Sequence, residues 1–226
     1  MRLAITFFLT YLSLRGDTLK EILDRMDADA VQFKGVRANL TRIDYNLVFK
    51  DKTEETAVLT LMKEKKGVAA LLEFSSPDPK QYLFRDTQLQ EFLPKLNLIN
   101  EYDLGKSAQA VNQFVTLGFG ASGKELQKNY TVAHHGSEVL RIADKEIKVT
   151  RLELVPRSPD AVKMMKRIEF WIPEGKSYAV QLKIHQPSGD TNTAIYTSVQ
   201  LNPPGLNEHS IELKTPKNVK HEKINN

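Results

Sequence analysis

A glycine-rich segment in the middle of the chain is the first candidate for chemistry. Gly118, Gly120 and Gly123 have the G-x-G-x-x-G spacing of loops that bind phosphate through backbone amides. However, Glu125 stands where a P-loop carries the serine or threonine that holds Mg²⁺, and the residues before the glycines have helical rather than strand periodicity. We therefore interpret the glycines as the end of one helix and predict that Ser122 and Glu125 form a capping box that begins the next.

The remaining polar residues give little support for catalysis or metal binding. His134 and His135 are adjacent, so on a strand they would point to opposite faces, and we interpret them as turn residues. Glu54 and Glu55 lie in a charged stretch expected to be a turn. The absence of cysteine excludes disulfides, thiolate ligands and thiol nucleophiles. No catalytic residue, metal ligand or cofactor is assigned, and an enzyme using the glycines or His134 is kept as an alternative.

Length, composition and charge favour one globular domain without nucleic acid as a partner. The 226 residues are 41% hydrophobic, which is enough for a sizeable core. The 32 Lys and Arg against 28 Asp and Glu leave a net charge of +4, an excess too small and too scattered for binding to duplex DNA. The lysine-rich segment Lys214–Lys223 could touch an anionic surface or an acidic partner, although such segments are more often solvated chain ends.

The N-terminus has the features of a secretory signal. An apolar run from Leu3 to Leu14 follows Arg2 and is shorter than the roughly 20 residues that span a bilayer. No A-x-A pattern follows it, so the cleavage site is poor, and the alternative is a buried N-terminal strand or helix. We expect export, with residues 1–16 as the signal or apolar segment and residues 17–226 as a single domain.

Periodicity predicts an α+β protein built on one large antiparallel sheet. Leu19, Ile22, Leu23 and Met26 recur at helical spacing after a cap at Asp17 or Thr18. Strand-like alternation then dominates, interrupted by helices over Ala108–Val115 and Ser122–Tyr130, for a total of about eleven strands. The stretches with strand-like alternation are Val36–Leu40, Ala57–Met62, Val68–Phe74, Tyr82–Phe84, Leu89–Leu93, Thr131–Ala133, Ser137–Ile142, Glu146–Val155, Lys166–Ile172, Tyr178–Gln186, Asn192–Leu201 and Ile211–Lys214.

Several strings resemble the periplasmic outer-membrane lipoprotein carriers, the LolA-like proteins. They begin with Leu19–Lys34 (LKEILDRMDADAVQFK) and continue with Pro77–Pro94, which has Arg85-Asp86 in the turn where the family usually has Asp-Gly. The most specific block joins Leu152–Ser158 (LELVPRS) to Ile168–Ile172 (IEFWI), and the closing piece is Ile211–Val219. The resemblance covers about residues 19–224.

The resemblance implies an unclosed β-barrel with a helical lid that carries lipoprotein acyl chains through the periplasm without enzymatic activity. It further implies an inner-membrane release complex and an outer-membrane acceptor. Separately, we expect a monomer. By alignment Lys66 takes the place of an arginine that helps to hold the lid, and Arg42 stands where the family tends to have glutamine. The lipid-binding surface is expected to comprise Leu59, Leu61, Val68, Ala70, Leu72, Phe74, Tyr82, Phe84 and Phe92, with lid contacts from Val111, Phe114 and Val115.

A related function on the same scaffold is the main alternative. The domain would bind free lipid, or sense envelope stress through its cavity, rather than sort lipoproteins. The two functions differ in cargo, because a carrier selects acylated protein N-termini whereas a lipid binder accepts free phospholipid or glycolipid.

Overall fold

The computed structural model describes residues 16–224, apart from the side chains of Lys106, Ala110 and Phe114. The expected N-terminal signal therefore lies outside the described residues. Within them, four α-helices and twelve strands follow the order expected for an α+β protein, and no helix is both long enough and apolar enough to cross a membrane. The elements are α1 (Leu19–Gln32), β1 (Gly35–Asn46), β2 (Asp51–Lys63), β3 (Val68–Ser76), β4 (Lys80–Arg85), β5 (Gln88–Leu93), β6 (Leu98–Asp103), α2 (Ala108–Thr116), α3 (Gly123–Asn129), β7 (Tyr130–Ile142), β8 (Lys145–Pro156), α4 (Pro159–Met164), β9 (Arg167–Pro173), β10 (Gln181–His185), β11 (Thr191–Leu201) and β12 (Lys220–Ile224).

All twelve strands form one sheet in the order β12-β6-β5-β4-β3-β2-β1-β11-β10-β9-β8-β7. Every neighbouring pair is antiparallel except β12 and β6, which are parallel. The two edge strands, β12 and β7, do not pair with each other, so the sheet is an unclosed half-barrel. The predicted fold class is confirmed.

Helix α1 covers one half of the concave face of the sheet. It begins at a capping box in which the Thr18 side chain accepts a hydrogen bond from the backbone of Glu21. Its buried residues Ile22, Leu23 and Met26 pack with α3 and with the apolar residues of β8, β9 and β10. The predicted helical spacing therefore gives the stripe that faces the sheet.

Helix α2 covers the other half of the concave face. Val111 and Val115 on this helix pack against Val68 and Ala70 of β3 and against Phe84 of β4. This helix is the structural counterpart of the expected lid.

Several elements differ from the sequence prediction. The strands predicted separately at Thr131–Ala133 and Ser137–Ile142 form one strand, β7. Strands β6 and β12 were not predicted, because β6 has polar residues on both faces and β12 is held by backbone pairing rather than by apolar burial. The short helix α4 was also missed, since it buries no residue. The segment Ile211–Lys214 is not a strand: Ile211 is buried, but against Ala69 and Leu71 on the convex face of β3. Its alternation reflects packing without pairing.

Candidate functional site

An apolar cavity lies between α2 and the concave face of the sheet. Its volume is about 190 Å³, and six elements supply its walls, namely β1, β2, β3, β10, β11 and α2. Most of the lining side chains are aliphatic or aromatic, and the polar ones belong to β1 and β11. The lining residues are Leu40, Arg42, Leu59, Ala70, Leu72, Phe74, Val115, Leu182, Ile184, Asn192, Thr193, Ala194 and Tyr196.

The strand register explains why the lining is apolar. Leu59 of β2 lies directly opposite Leu72 of β3, and Leu40 of β1 lies opposite Tyr196 of β11. Directly opposed residues in an antiparallel pair share a face, and every second residue along each strand shares it too. The alternating apolar residues of five strands therefore meet on one surface.

The size of the cavity limits what it can hold. A cavity of roughly 150 Å³ in another protein accommodates benzene, and drug-sized ligands occupy about 300 Å³ or more. A cavity of about 190 Å³ thus has room for a short segment of an acyl chain. A longer segment would require α2 to move away from the sheet.

Five of the predicted lipid-binding residues line this cavity, namely Leu59, Ala70, Leu72, Phe74 and Val115. Tyr82 lies beside it, with its ring 5.9 Å from that of Phe74 in an edge-to-face arrangement. The remaining predicted residues divide into three groups. Leu61, Val68, Phe84 and Val111 pack in the core cluster beneath α2, the side chain of Phe114 lies outside the described part, and Phe92 lies elsewhere.

The placement of Phe92 on the lipid-binding surface is wrong. Phe92 of β5 pairs with Gln81 of β4, whereas the neighbouring Tyr82 pairs with Leu72. Because side chains alternate along a strand, Phe92 points to the convex face, where it is buried opposite Ile99 of β6. The concave positions of β5 are Leu89 and Glu91, and counting alternate residues from Leu89 would have excluded Phe92.

The expected latch residue Lys66 is exposed in the turn between β2 and β3. Within residues 16–224 its side chain forms no hydrogen bond or ion pair. The close approach of this turn to α2 is instead made by Gly67, since a Cβ atom there would lie 2.5 Å from the Asn112 amide nitrogen. The latch role of Lys66 therefore stays a prediction.

The second wall of the cavity was missed by sequence reasoning. Leu182 and Ile184 of β10 face the cavity together with Ala194 and Tyr196 of β11. The sequence did contain the local pattern, because both strands were predicted and Leu182 and Ile184, like Ala194 and Tyr196, are two positions apart and so lie on the same face of their strand. The sequence does not reveal that β10 and β11 curve round to face β3, since that depends on the pairing of β1 with β11.

Three charged residues stand at one end of the cavity, and we call Arg42, Glu55 and Lys80 the charged rim. Glu55 Oε2 lies 2.8 Å from Arg42 Nη2, and Glu55 Oε1 lies 2.6 Å from Lys80 Nζ. The Arg42 guanidinium and the Lys80 ammonium lie 5.4 and 5.1 Å from the centre of the Phe74 ring. Arg42 is also paired with Asp44 at 3.0 Å. The rim thus joins β1, β2 and β4 above the aromatic end of the cavity.

Apart from Arg42 at the rim, the residues that line the cavity carry no formal charge. Tyr196 packs edge-to-face against Phe119, with ring centres 4.8 Å apart. Burial raises the pKa of Tyr196 above its ordinary value, so its hydroxyl stays neutral at physiological pH. The surface beneath the rim is therefore suited to an uncharged apolar ligand.

A second carboxylate lies beside the rim on β5. Glu91 accepts hydrogen bonds from the hydroxyl of Tyr82 at 2.7 Å, from the amide of Asn100 at 3.0 Å and from the hydroxyl of Tyr102 at 3.3 Å. Burial alone would raise the pKa of Glu91, but the three hydrogen bonds outweigh it and hold the pKa below its ordinary value. Glu91 is therefore ionised, and its charge is spread over neutral donors.

The glycine and histidine motifs have structural roles. The Ser122 side chain accepts a hydrogen bond from Glu125 N at 3.1 Å, which confirms the predicted capping box at the start of α3. His134 and His135 lie in β7 at a bulge, not in a turn, and His134 Nε2 is bonded to the carbonyl oxygen of Asp17 at 2.9 Å. Within residues 16–224, no group of three His, Asp or Glu side chains could hold a metal ion.

Comparison with known proteins places the fold. No family model and no curated protein matches the chain. Among solved structures, the chain is similar to MucB (13% identity, TM-score 0.51, covering 86% of this chain and 62% of MucB). It is also similar to a DUF1329 family protein from Desulfovibrio piger (14%, TM-score 0.45, 87% and 98%) and to the LolA superfamily protein NE2245 from Nitrosomonas europaea (13%, TM-score 0.40, 87% and 98%). The similarity to MucB shows a shared fold.

Proposed function

We propose that the protein is a periplasmic carrier that shields an acyl chain of a lipoprotein in the cavity beneath α2 and passes it toward the outer membrane. The observation that carries this proposal is the apolar cavity on the concave face of the sheet, which is bordered by charge at one end. Each methylene removed from water contributes about 0.8 kcal/mol, so a short buried segment already gives useful affinity. Such work needs no catalytic group.

Helix α2 is the natural cover of the cavity. It contributes Val115 to the lining and is flanked by Gly105 and Gly120, whose φ angles of +48° and +83° are left-handed. No atom lies within 4 Å of a Cβ placed at Gly105, so there is open space on that side of the residue. Rotation about this entry would lift α2 and enlarge the cavity for a longer chain.

The small contact area of the closed cavity suits transfer rather than storage. A ligand segment of this size is held by dispersion and burial alone, and the charged rim would interact only with the polar part of the cargo. The proposal includes export by residues 1–16, a monomeric carrier without a cofactor, and membrane partners that load and accept the cargo. The LolA-like fold supports it as a scaffold that accommodates such a cavity.

The test is displacement of a fluorescent apolar probe from the full-length protein. A synthetic triacylated lipopeptide should displace the probe at lower concentration than free phospholipid does. Equal displacement by both would favour a general lipid binder, and no probe binding would contradict the proposal.

A pair of variants tests whether the fluorescent probe binds in the cavity. Leu72→Glu places a carboxylate in the cavity and should abolish probe binding, because a buried charge without a partner is costly. Glu73→Gln, at the next position but on the opposite face of β3, is the matched control and should bind as the natural protein does. Because both variants retain the N-terminal apolar run, a difference between them reports on the cavity.

A further inference from the structure

Exposed apolar side chains are concentrated in three connections between elements. Of the ten large hydrophobic residues that are exposed within residues 16–224, six lie in these connections. Val48 and Phe49 are 77% and 81% exposed, and Met164 is 65% exposed. The six are Leu47, Val48 and Phe49 between β1 and β2, Leu96 between β5 and β6, and Val162 and Met164 in α4 between β8 and β9.

The three connections lie at the same end of the sheet, as the register shows. Tyr45, at the end of β1, pairs with Thr191, and Thr191 pairs with His185, which pairs with Arg167 at the start of β9. The turn after β1 and the helix before β9 are therefore on one side. On the other half of the sheet, Lys80 at the start of β4 pairs with Phe74 near the end of β3. Strand β5 is antiparallel to β4, so β5 ends on this same side, shortly before Leu96. The charged rim of the cavity stands at this same end.

The turn between β1 and β2 is built so that its apolar residues stay in solvent. The Asn46 side-chain oxygen accepts a hydrogen bond from Phe49 N at 2.9 Å, and the Asp190 carboxylate accepts one from Leu47 N at 2.8 Å. These bonds hold the backbone in place while Val48 and Phe49 project outward. Leu47, Val48 and Phe49 are consecutive and exposed, so they form one contiguous apolar group, and contiguous exposed apolar groups mark protein or membrane interaction sites.

A bilayer fits this surface better than a protein partner does. A stable protein interface buries about 1,000 Å² or more over a continuous patch, whereas these side chains lie at the tips of three separate connections. Spaced tips can each enter the headgroup region of a membrane at the same time. The connections β1–β2, β3–β4, β5–β6, β8–β9 and β10–β11 at this end also contain five basic residues against three acidic ones, a local excess of two positive charges that favours an anionic surface. They are Lys50, Lys95, Arg157, Lys163 and Lys166 against Asp78, Asp160 and Asp190.

We propose that this end of the half-barrel docks on the surface of an anionic bilayer, with Phe49 and Met164 entering the headgroup region. Docking in this orientation turns the charged rim and the cavity toward the lipid. The proposal goes beyond the proposed function, and membrane docking is measured without any cargo, so either can fail while the other holds.

A tryptophan placed at the tip tests the proposal directly. The full-length Phe49→Trp protein is mixed with vesicles of phosphatidylethanolamine and phosphatidylglycerol that carry brominated acyl chains. Entry of the tip shifts the added tryptophan emission to the blue and quenches it. The natural protein, whose single tryptophan is the buried Trp171, supplies the background. Val139→Trp is the matched control, since Val139 is 62% exposed on the edge strand β7.

Quenching at position 49 but not at position 139 supports docking through the tip. Partitioning onto the same vesicles should also fall by about tenfold in Phe49→Ser, while Val31→Ser, at a site 82% exposed on α1, partitions normally. An unshifted tryptophan at position 49, or equal quenching at both positions, overturns the proposal. A blue shift that grows with protein concentration in the absence of vesicles overturns it in favour of contact between copies of the chain.

Discussion

The carboxylate of Glu55 on β2 and the ammonium of Lys80 on β4 meet across β3, with 2.6 Å between Oε1 and Nζ. The strand between them contributes Phe74, whose ring lies beneath Lys80. Only 11% of the Glu55 side chain and 19% of the Lys80 side chain are exposed, whereas Arg42 is 40% exposed. Glu55 is therefore the buried centre of the charged rim, and the two cations depend on it.

Replacing Glu55 with glutamine should destabilise the protein and alter its preference for lipids. The change leaves Lys80 largely buried without its counter-charge, and we expect a loss of about 1–3 kcal/mol in the free energy of unfolding. The rim also gains one positive charge, so affinity for phosphatidylglycerol should rise relative to phosphatidylethanolamine. Denaturant unfolding and probe displacement measure the two effects.

The double variant Glu55→Gln/Lys80→Met isolates the ion pair. Removing both charges should recover part of the lost stability and return the lipid preference toward that of the natural protein. If the loss of unfolding free energy in the double variant equals the sum of the losses in Glu55→Gln and Lys80→Met, the two residues are not coupled.

Filling the cavity should block ligand binding without harming the fold. Ala194 of β11 is half-buried and lines the cavity, so Ala194→Phe places a phenyl ring in space that is otherwise empty. We expect probe affinity to fall at least about tenfold while the unfolding midpoint stays the same or rises. Ile195→Phe is the matched control, because Ile195 belongs to the cluster around Trp171 on the convex face. Equal probe binding by the two variants would place the ligand elsewhere.

The sequence predicts those parts of the cavity wall that depend on local patterns. It does not predict the parts that depend on pairing between strands far apart in the chain. Alternation from Val68 to Phe74 correctly defined the concave face of β3, since parity is a local property. Glu55 looked like part of a charged turn because its partners, Arg42 and Lys80, lie on other strands and meet it only through the register. Strand β12 gave no apolar signal because backbone pairing with β6 forms it.

Ile211 should be a stability residue and not a binding residue. Its side chain is fully buried against Ala69 and Leu71 on the convex face. Ile211→Ala should reduce the free energy of unfolding by about 2–4 kcal/mol, because it leaves a cavity between the C-terminal segment and β3. Probe affinity measured below the unfolding transition should be unchanged. A loss of probe binding in the folded variant would show that the convex face takes part in binding.

The pH dependence of stability should depend in part on Glu169, on the outer face of β9. Its carboxylate is bonded to Arg151 Nη1 at 2.8 Å and to His185 Nε2 at 2.6 Å. Burial opposes its ionisation, but these hydrogen bonds outweigh burial and place the pKa of Glu169 below its ordinary value of 4.5. The unfolded chain therefore binds the proton more readily than the folded protein does. The ionised carboxylate contributes its full stabilisation of the fold above about pH 4.5, and this stabilisation is lost as the pH falls through the folded-state pKa.

Glu169→Gln should therefore be less stable than the natural protein at pH 7 and lose less stability on acidification. Urea unfolding at about pH 7 and about pH 3.5 measures both quantities. Glu146→Gln, at an exposed position of β8, is the control and should keep the acid dependence of the natural protein. If both variants lose the same free energy of unfolding between the two pH values, the hydrogen bonds to Arg151 and His185 do not stabilise the ionised carboxylate. If Glu169→Gln keeps the full acid dependence of stability, that dependence comes from other carboxylates. Glu91 beside the charged rim would then be the next residue to replace.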